Sequence, residues 1–189
     1  MEILGGYGKG MTLKVPPGME VRPTSVRTRR AFFDMLGDLS GKVFCDLFAG
    51  SGSMGLEAAS RGAGEVIYME KSPRVLSVVR ENVRKAGVWS PDTVYHIHPG
   101  TVPGCLDAVI RACTPPDIIF GDPPYAESVS LLDSILRHEG FSQWTKESVF
   151  YWEMPSFRTD LKVFPGPWRM EALRDFGSSR FLVIRQKKG

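Results

Sequence analysis

Short apolar runs alternate with helical patterns along most of the chain after residue 42. The runs are strand-length and dense in Val, Ile, Phe and Tyr; in chain order they read KVFCDLF, EVIYME, TVYHIH, DIIFGD and SVFYWE. Between them, the spacing of apolar residues predicts helices near 53–61, 73–86, 102–113 and 127–139. Strands that alternate with helices in this way are typical of an α/β fold whose parallel sheet is covered on both faces.

The two ends of the chain depart from this alternation. Residues 1–22 are rich in Gly and Pro and indicate an irregular or hairpin-like arm. The next segment, PTSVRTRRAFFDMLG, predicts a helix with Val26, Phe33 and Leu36 on its apolar face. After Glu153, the runs LKVF, WRMEALRDF and RFLVIRQK follow with little helix between them, which predicts an antiparallel edge of the sheet. We therefore divide the chain into an arm, 1–22, and a single domain, 23–189.

The length of 189 residues suits one domain that folds without metals or disulfides. The net charge of +3 is unevenly distributed, because the first thirty residues carry six basic and two acidic groups, against eighteen and nineteen in the remainder. A protein that meets a polyanion at one edge has this pattern, although a solvated basic arm without a partner fits the charge equally well.

Neither a secretory signal nor an apolar run of membrane-spanning length is visible, so we expect a cytoplasmic protein. The three cysteines, Cys45, Cys105 and Cys113, show no C-x-x-C spacing, so we expect reduced thiols, with neither a disulfide framework nor a zinc site. His96 and His98 alternate within a predicted strand with no cysteine beside them, which favours packing over metal binding.

The stretch DLFAGSGSMG carries the first candidate site. Gly50, Gly52 and Gly55 follow a predicted strand as G-x-G-x-x-G, and Glu70 ends the next strand; together they form a dinucleotide fingerprint. Taken alone it favours a nicotinamide enzyme, but a nucleoside without a pyrophosphate uses the same corner. Asp46 would repel a pyrophosphate and can meet the amino group of S-adenosylmethionine. The alternative is a glycine-rich turn without a ligand.

The stretch DIIFGDPPYAE carries the second candidate site. Its prolines end the strand near Asp122 and stiffen the corner that follows. The Asp122 carboxylate and the Pro123 carbonyl, held by Pro124, can accept the two N–H groups of a nucleobase amine and turn its lone pair towards a methyl donor. Tyr125 can stack on an extruded base. The alternative is a rigid surface turn, but the ends of the first and fourth strands should flank one crevice.

The chain resembles the RsmD type of bacterial 16S ribosomal RNA guanine-N2 methyltransferases. The similarity covers nearly all of it: the arm from GGYGKG to FFDML, the loop DLFAGSGSMGLEAASRGA, and the strand ends YMEK, DPPY and FYWE. It implies a Rossmann-like class I methyltransferase fold, with a mostly parallel seven-stranded sheet, an antiparallel C-terminal edge and helices on both faces.

The resemblance also implies a function and a set of site residues. The expected reaction moves a methyl group from S-adenosylmethionine, leaving S-adenosylhomocysteine, to guanine N2 in 16S rRNA or an assembling small subunit, without a metal. We expect the protein to act as a monomer. Catalysis is placed at Asp122, Pro123, Pro124 and Tyr125, and cofactor binding at Asp46, Phe48, Ala49, Gly50, Ser51, Gly52 and Glu70.

Two positions depart from the family pattern. Gly100 and Thr101 stand where relatives commonly have an acidic residue or asparagine after the third strand, so adenine recognition falls to backbone groups and apolar packing. Lys71 follows Glu70 at a position where relatives often have an acidic residue. This difference has little effect on the assignment of Glu70 to ribose binding, because Glu70 itself is present.

Other polar residues have open assignments. Arg22, Arg27 and Arg30 are candidates for contacts with RNA phosphates, or are ordinary surface groups. Glu153 either supports the substrate site or has a structural role, and Trp144, Trp152 and Trp168 are expected to be packing residues.

Three rival functions stay open. The first is a DNA or other RNA amino-methyltransferase acting on adenine N6, and the second is an RNA-binding ribosome-assembly factor without turnover. The third is a dehydrogenase, which protection by NADH and not by S-adenosylhomocysteine would identify.

Overall fold

A computed structural model of the protein describes residues 1–18, 23–155, 164–176 and 179–187. Its helices are α1 Pro23–Leu36, α2 Ser53–Ser60, α3 Pro73–Ala86, α4 Leu106–Ala112, α5 Ser128–Leu136 and α6 Glu139–Trp144. Its strands are β1 Val43–Asp46, β2 Glu65–Glu70, β3 Val94–Pro99, β4 Ile118–Gly121, β5 Val149–Pro155, β6 Trp168–Phe176 and β7 Ser179–Gln186. Within the residues so described, every helix is too short or too polar to cross a membrane.

The strands form one seven-stranded sheet in the order β3-β2-β1-β4-β5-β7-β6. Strands β1 to β5 run parallel, and β7 is antiparallel to both β5 and β6. The α/β fold class, with its antiparallel C-terminal edge, is therefore confirmed. The chain order reverses direction between β1 and β4, which places a crevice at the carboxyl ends of these two strands.

Large aromatic side chains fill the core on the two faces of the sheet. On one face Trp152 and Trp168 are fully buried with Phe141, and Trp144 is 8% exposed, so the packing prediction for these tryptophans is confirmed. Their indole N–H groups are satisfied, as that of Trp168 donates to the Leu136 carbonyl at 3.0 Å. On the other face, helix α1 contributes Phe32 and Phe33, both fully buried.

Some helix boundaries differ from the sequence prediction. The helix predicted for 127–139 ends at Leu136, and α6 then begins after His138, whose Nδ1 accepts a hydrogen bond from Phe141 N at 3.1 Å. A histidine cap of this kind has no simple sequence signal, because Ser, Thr, Asp and Asn are the usual caps. Residues 161–163 of the run LKVF lie outside the described residues.

The N-terminal arm lies against α2 and α3 and is held by buried polar side chains. Leu4 N donates to Glu57 Oε2 at 2.8 Å, and Gly8 N donates to Ser60 Oγ at 2.7 Å. The Asn82 amide bonds Lys14 N and Lys14 O, and also donates to Ser51 O in the glycine loop at 2.9 Å. Asn82 therefore joins the arm to the loop that follows β1.

Candidate active site

A cavity of about 630 Å³ opens at the carboxyl ends of the central strands. It is lined by the proposed catalytic residues and by all the proposed cofactor residues except Gly52: Asp46, Phe48, Ala49, Gly50, Ser51, Glu70, Asp122, Pro123, Pro124 and Tyr125. The glycine loop and the DPPY corner therefore face one common space. Its volume is within the usual range for small-ligand sites, about 300–1,000 Å³.

The glycine loop turns sharply from β1 into α2. Gly50 and Gly52 have φ angles of 52° and 79°, which lie in the left-handed region that glycine adopts at no steric cost. Gly55 is required for a different reason, because a Cβ there would lie 2.5 Å from side-chain atoms of Tyr68 and Val66. The turn brings backbone to the cavity wall, and α2 packs directly on β2.

Glu70 is held between two backbone donors. Its Oε2 accepts a hydrogen bond from Gly50 N at 3.1 Å, and its Oε1 accepts one from Ser72 N at 2.8 Å. Each carboxylate oxygen has a further lone pair. The side chain is thus fixed in orientation while it can still accept from a ligand hydroxyl.

Asp46 is only 1% exposed at the end of β1. Phe48 N donates to its Oδ1 at 3.2 Å. Burial, assisted by the negative charge of Glu70, raises the pKa of Asp46 to about 7, against the lowering effect of the Phe48 hydrogen bond. A cation bound beside Asp46 would favour its charged form.

Asp122 follows β4 and is accessible from the cavity. Protein surrounds it on its other sides, and this poor solvation raises its pKa above the ordinary value; the negative charges of Glu153 and Asp46 act in the same direction. Glu153, which ends in the same cavity, is 9% exposed. Four carboxylates, those of Asp46, Glu70, Asp122 and Glu153, therefore line one space.

The proline corner continues directly into α5. The Pro124 carbonyl accepts a hydrogen bond from Glu127 N at 3.0 Å, so this carbonyl is used within the turn. Tyr125 is 50% exposed and lines the cavity. The corner thus offers a carboxylate and an accessible aromatic ring on a stiff backbone.

Arg29 also lines the cavity, whereas the residues predicted from the sequence to contact RNA are its neighbours Arg27 and Arg30. Those two are exposed, and Arg22 lies outside the described residues. Arg29 is 5% exposed, its guanidinium donates to the Glu2 carbonyl, and burial lowers its pKa despite the nearby Glu57. A signal was available: Arg29 precedes the buried Phe32 and Phe33 by three and four residues, which places it on the same face of α1.

The expectation that no cysteine lies beside His96 and His98 is wrong. Cys113 Sγ lies 3.2 Å from His98 Nε2, because α4 returns the chain to β3. Sequence spacing does not show this contact, since fifteen residues and a helix separate the two. Cys113 is a free thiol whose pKa is raised to about 11, mainly by burial.

Comparison with known proteins identifies one family. The family described as conserved hypothetical protein 95 matches residues 1–185. Ribosomal RNA small subunit methyltransferase D of Escherichia coli (strain K12) is 26% identical over 188 residues, covering 99% of this chain and 90% of that protein. The Haemophilus influenzae protein of the same name is 30% identical over 140 residues, covering 70% of each chain. A hypothetical protein from Thermus thermophilus has a solved structure with a TM-score of 0.73, at 26% identity and with 98% of this chain and 99% of that one covered.

Proposed function

This chain belongs to the conserved hypothetical protein 95 family of RsmD-type methyltransferases, and from that premise we propose that it methylates the exocyclic N2 of a guanine in 16S ribosomal RNA. The proposed methyl donor is S-adenosylmethionine. The observation that carries the proposal is the common cavity, which the glycine turn after β1 and the Asp122 corner after β4 enter from adjacent strands. The substrate class is supported by the names of the relatives, which are ribosomal RNA methyltransferases.

The charge of the cavity favours this donor over a dinucleotide. In their ionised forms, which a bound cation favours, its four carboxylates repel a pyrophosphate and attract a ligand that carries a sulfonium and an ammonium group. When bound, S-adenosylmethionine supplies an electrophilic methyl group that needs no metal for its transfer.

Each end of the donor has matching groups in the chain. Asp46 is assigned to the amino group and Glu70 to the ribose hydroxyls. Glu70 can accept hydrogen bonds from those hydroxyls while it keeps the hydrogen bonds from its two backbone donors. The Gly50 turn allows close approach of backbone to the ligand. Gly100 and Thr101 line the cavity beside the apolar Val102, which fits adenine recognition by backbone groups and packing.

The acceptor is activated by the DPPY corner. The Asp122 carboxylate and the Pro123 carbonyl accept hydrogen bonds from the two N–H groups of the guanine amine, so that the nitrogen lone pair points away from the ring. As the N–C bond forms and the S–C bond of the donor breaks, the amine gives up one proton, which the Asp122 carboxylate accepts. Once the base has flipped out of the RNA helix, Tyr125 stacks on it. Positioning of reacting groups accounts for up to about 7–11 kcal/mol of barrier reduction in favourable cases.

The rest of the RNA is held outside the cavity. Arg22, Arg27 and Arg30 are assigned to RNA phosphates, which predicts that substrate binding falls steeply as salt is added. In this proposal the protein acts as a monomer in the cytoplasm, where ribosomal RNA is made, with residues 1–22 as an arm on one domain.

The test is methyl transfer from labelled S-adenosylmethionine to unmodified 16S rRNA and to assembled small subunits, followed by mapping of the label. Label on guanine N2 is the expected result. Label on adenine N6, or protection against unfolding by NADH and not by S-adenosylhomocysteine, would refute the proposal. When the same assay is run with Asp122 substituted, Asp92→Ala is the matched control, because Asp92 is an exposed acid before β3.

A further inference from the structure

His96, His98 and Cys113 form a polar cluster away from the cavity. His96 and His98 alternate along β3, opposite Ile67 and Met69 of β2, and therefore project from one face of the sheet. Their rings lie 6.4 Å apart between centroids, nearly parallel. Cys113 follows α4, which covers that face. One potential ligand atom from each of the three side chains lies within 4.8 Å of the other two.

These separations are close to those of a tetrahedral zinc site. Zn–N bonds of about 2.0–2.1 Å and Zn–S bonds of about 2.3 Å require N and S ligands to be about 3.6 Å apart. His98 Nε2 and Cys113 Sγ are 3.2 Å apart, so small side-chain adjustments would admit an ion. All three residues are partly buried, and water can reach a fourth position because His96 is 29% exposed.

Glu65 lies beside this cluster. Its Oε1 is buried and lies 3.2 Å from His96 Nε2. A carboxylate beside a metal-bound histidine commonly fixes the orientation of the ring.

We propose that His96, His98 and Cys113 bind one Zn²⁺ ion, with Glu65 as a positioning residue for His96. Imidazole nitrogen and thiolate are ligands that zinc prefers. The Cys113 thiolate and the Glu65 carboxylate together balance the charge of a divalent cation. On binding, the Cys113 thiol loses its proton to solvent as the Zn–S bond forms.

The site would fasten one wall of the cavity. His98 precedes Gly100 by two residues, and Cys113 follows α4, so an ion between them closes the segment that includes the cavity residues Gly100, Thr101 and Val102. The ion therefore stabilises the fold and, if the proposed function holds, steadies the adenine side of the donor site. It takes no part in methyl transfer.

Cobalt is a suitable probe, because a thiolate bound to Co²⁺ gives a charge-transfer band in the near ultraviolet. We expect chelator-treated protein to bind one equivalent of Co²⁺ with this band and to release it to Zn²⁺. Cys113→Ser removes the band, whereas Cys105→Ser, the matched control, retains it. Glu65→Gln weakens Zn²⁺ binding about tenfold.

Three results would overturn the site: absence of the band, retention of the band in Cys113→Ser, or metal binding that exceeds one equivalent and is the same in all these variants as in the unmodified chain. Circular dichroism verifies that each variant is folded. A second readout is thermal unfolding, where Zn²⁺ raises the Tm of the unmodified chain and leaves that of Cys113→Ser unchanged. Neither readout uses S-adenosylmethionine or RNA, so failure of the metal site is distinguishable from failure of the proposed reaction.

Discussion

Two aspartates end adjacent strands of the sheet, Asp46 after β1 and Asp122 after β4, and their surroundings differ because the next residues in the chain differ. Two residues after Asp46, Phe48 donates its backbone N–H to the carboxylate. Two residues after Asp122 stands Pro124, which has no N–H to donate. The first aspartate is buried and held by its own loop, whereas the second is accessible from the cavity. The prolines thus keep the Asp122 carboxylate available for the N–H groups of a substrate.

Removing the Asp122 carboxylate should have the largest effect. In the proposed reaction Asp122→Ala loses about 10²–10⁴-fold in kcat, the usual range for a positioned proton acceptor, while donor affinity changes little. Single-turnover methylation and a separate titration with S-adenosylhomocysteine measure the two quantities. Near-normal turnover in this variant would show that the carboxylate is not needed.

Restoring a backbone donor near Asp122 tests the comparison directly. Pro124→Ala supplies an N–H at the position that Phe48 occupies relative to Asp46, so the carboxylate can be satisfied by its own turn. A hydrogen bond to a charged group is worth about 1.5–3 kcal/mol, which predicts a loss of roughly 10–100-fold in methyl transfer. Pro115→Ala, at an exposed position before β4, is the control. Equal activity in the two variants would contradict this account of the prolines.

Asp46→Asn should separate donor binding from stability. Asparagine can still accept from Phe48 N but carries no charge, so we expect the KM for S-adenosylmethionine to rise about tenfold, the equivalent of about 1.4 kcal/mol. The raised pKa of Asp46 means that its contribution to stability is fully present below the unfolded-state pKa and is lost as pH rises towards about 7.

The variant should therefore have a higher Tm than the unmodified chain at pH 8, and the difference should shrink towards pH 5. Thermal unfolding at both values checks this expectation. A lower Tm at pH 8 would mean that the ionised carboxylate stabilises the fold.

How far the sequence predicts this molecule depends on whether a contact is local. Strand ends and the glycine turn follow from periodicity and from turn-forming residues near one another in the chain. The meeting of the two aspartate corners also follows, because the position of a topological switch point is fixed by strand order.

The contacts that the sequence did not reveal join distant segments through buried polar groups. Asn82 holds Lys14 and Ser51, Glu57 holds the backbone of Leu4, and Cys113 reaches His98. Asn82 and Glu57 stand within helices and Cys113 follows one, and the type of each residue does not indicate its distant partner. Only tertiary packing determines its partner.

Glu153→Gln should give the smallest effect and the most specific one. Methyl transfer needs Asp122 ionised, so activity should fall as pH drops through its raised pKa. Burial is the main cause of that rise, and the negative charges of Glu153 on β5 and Asp46 on β1 add to it. Glutamine removes the charge while it keeps the shape, so the acid limb of the kcat/KM profile should move to lower pH. The exposed Glu147→Gln serves as the control, and its limb should stay in place. An unmoved limb in Glu153→Gln would show that the charge of Glu153 does not act on Asp122, and that burial and Asp46 account for the raised pKa.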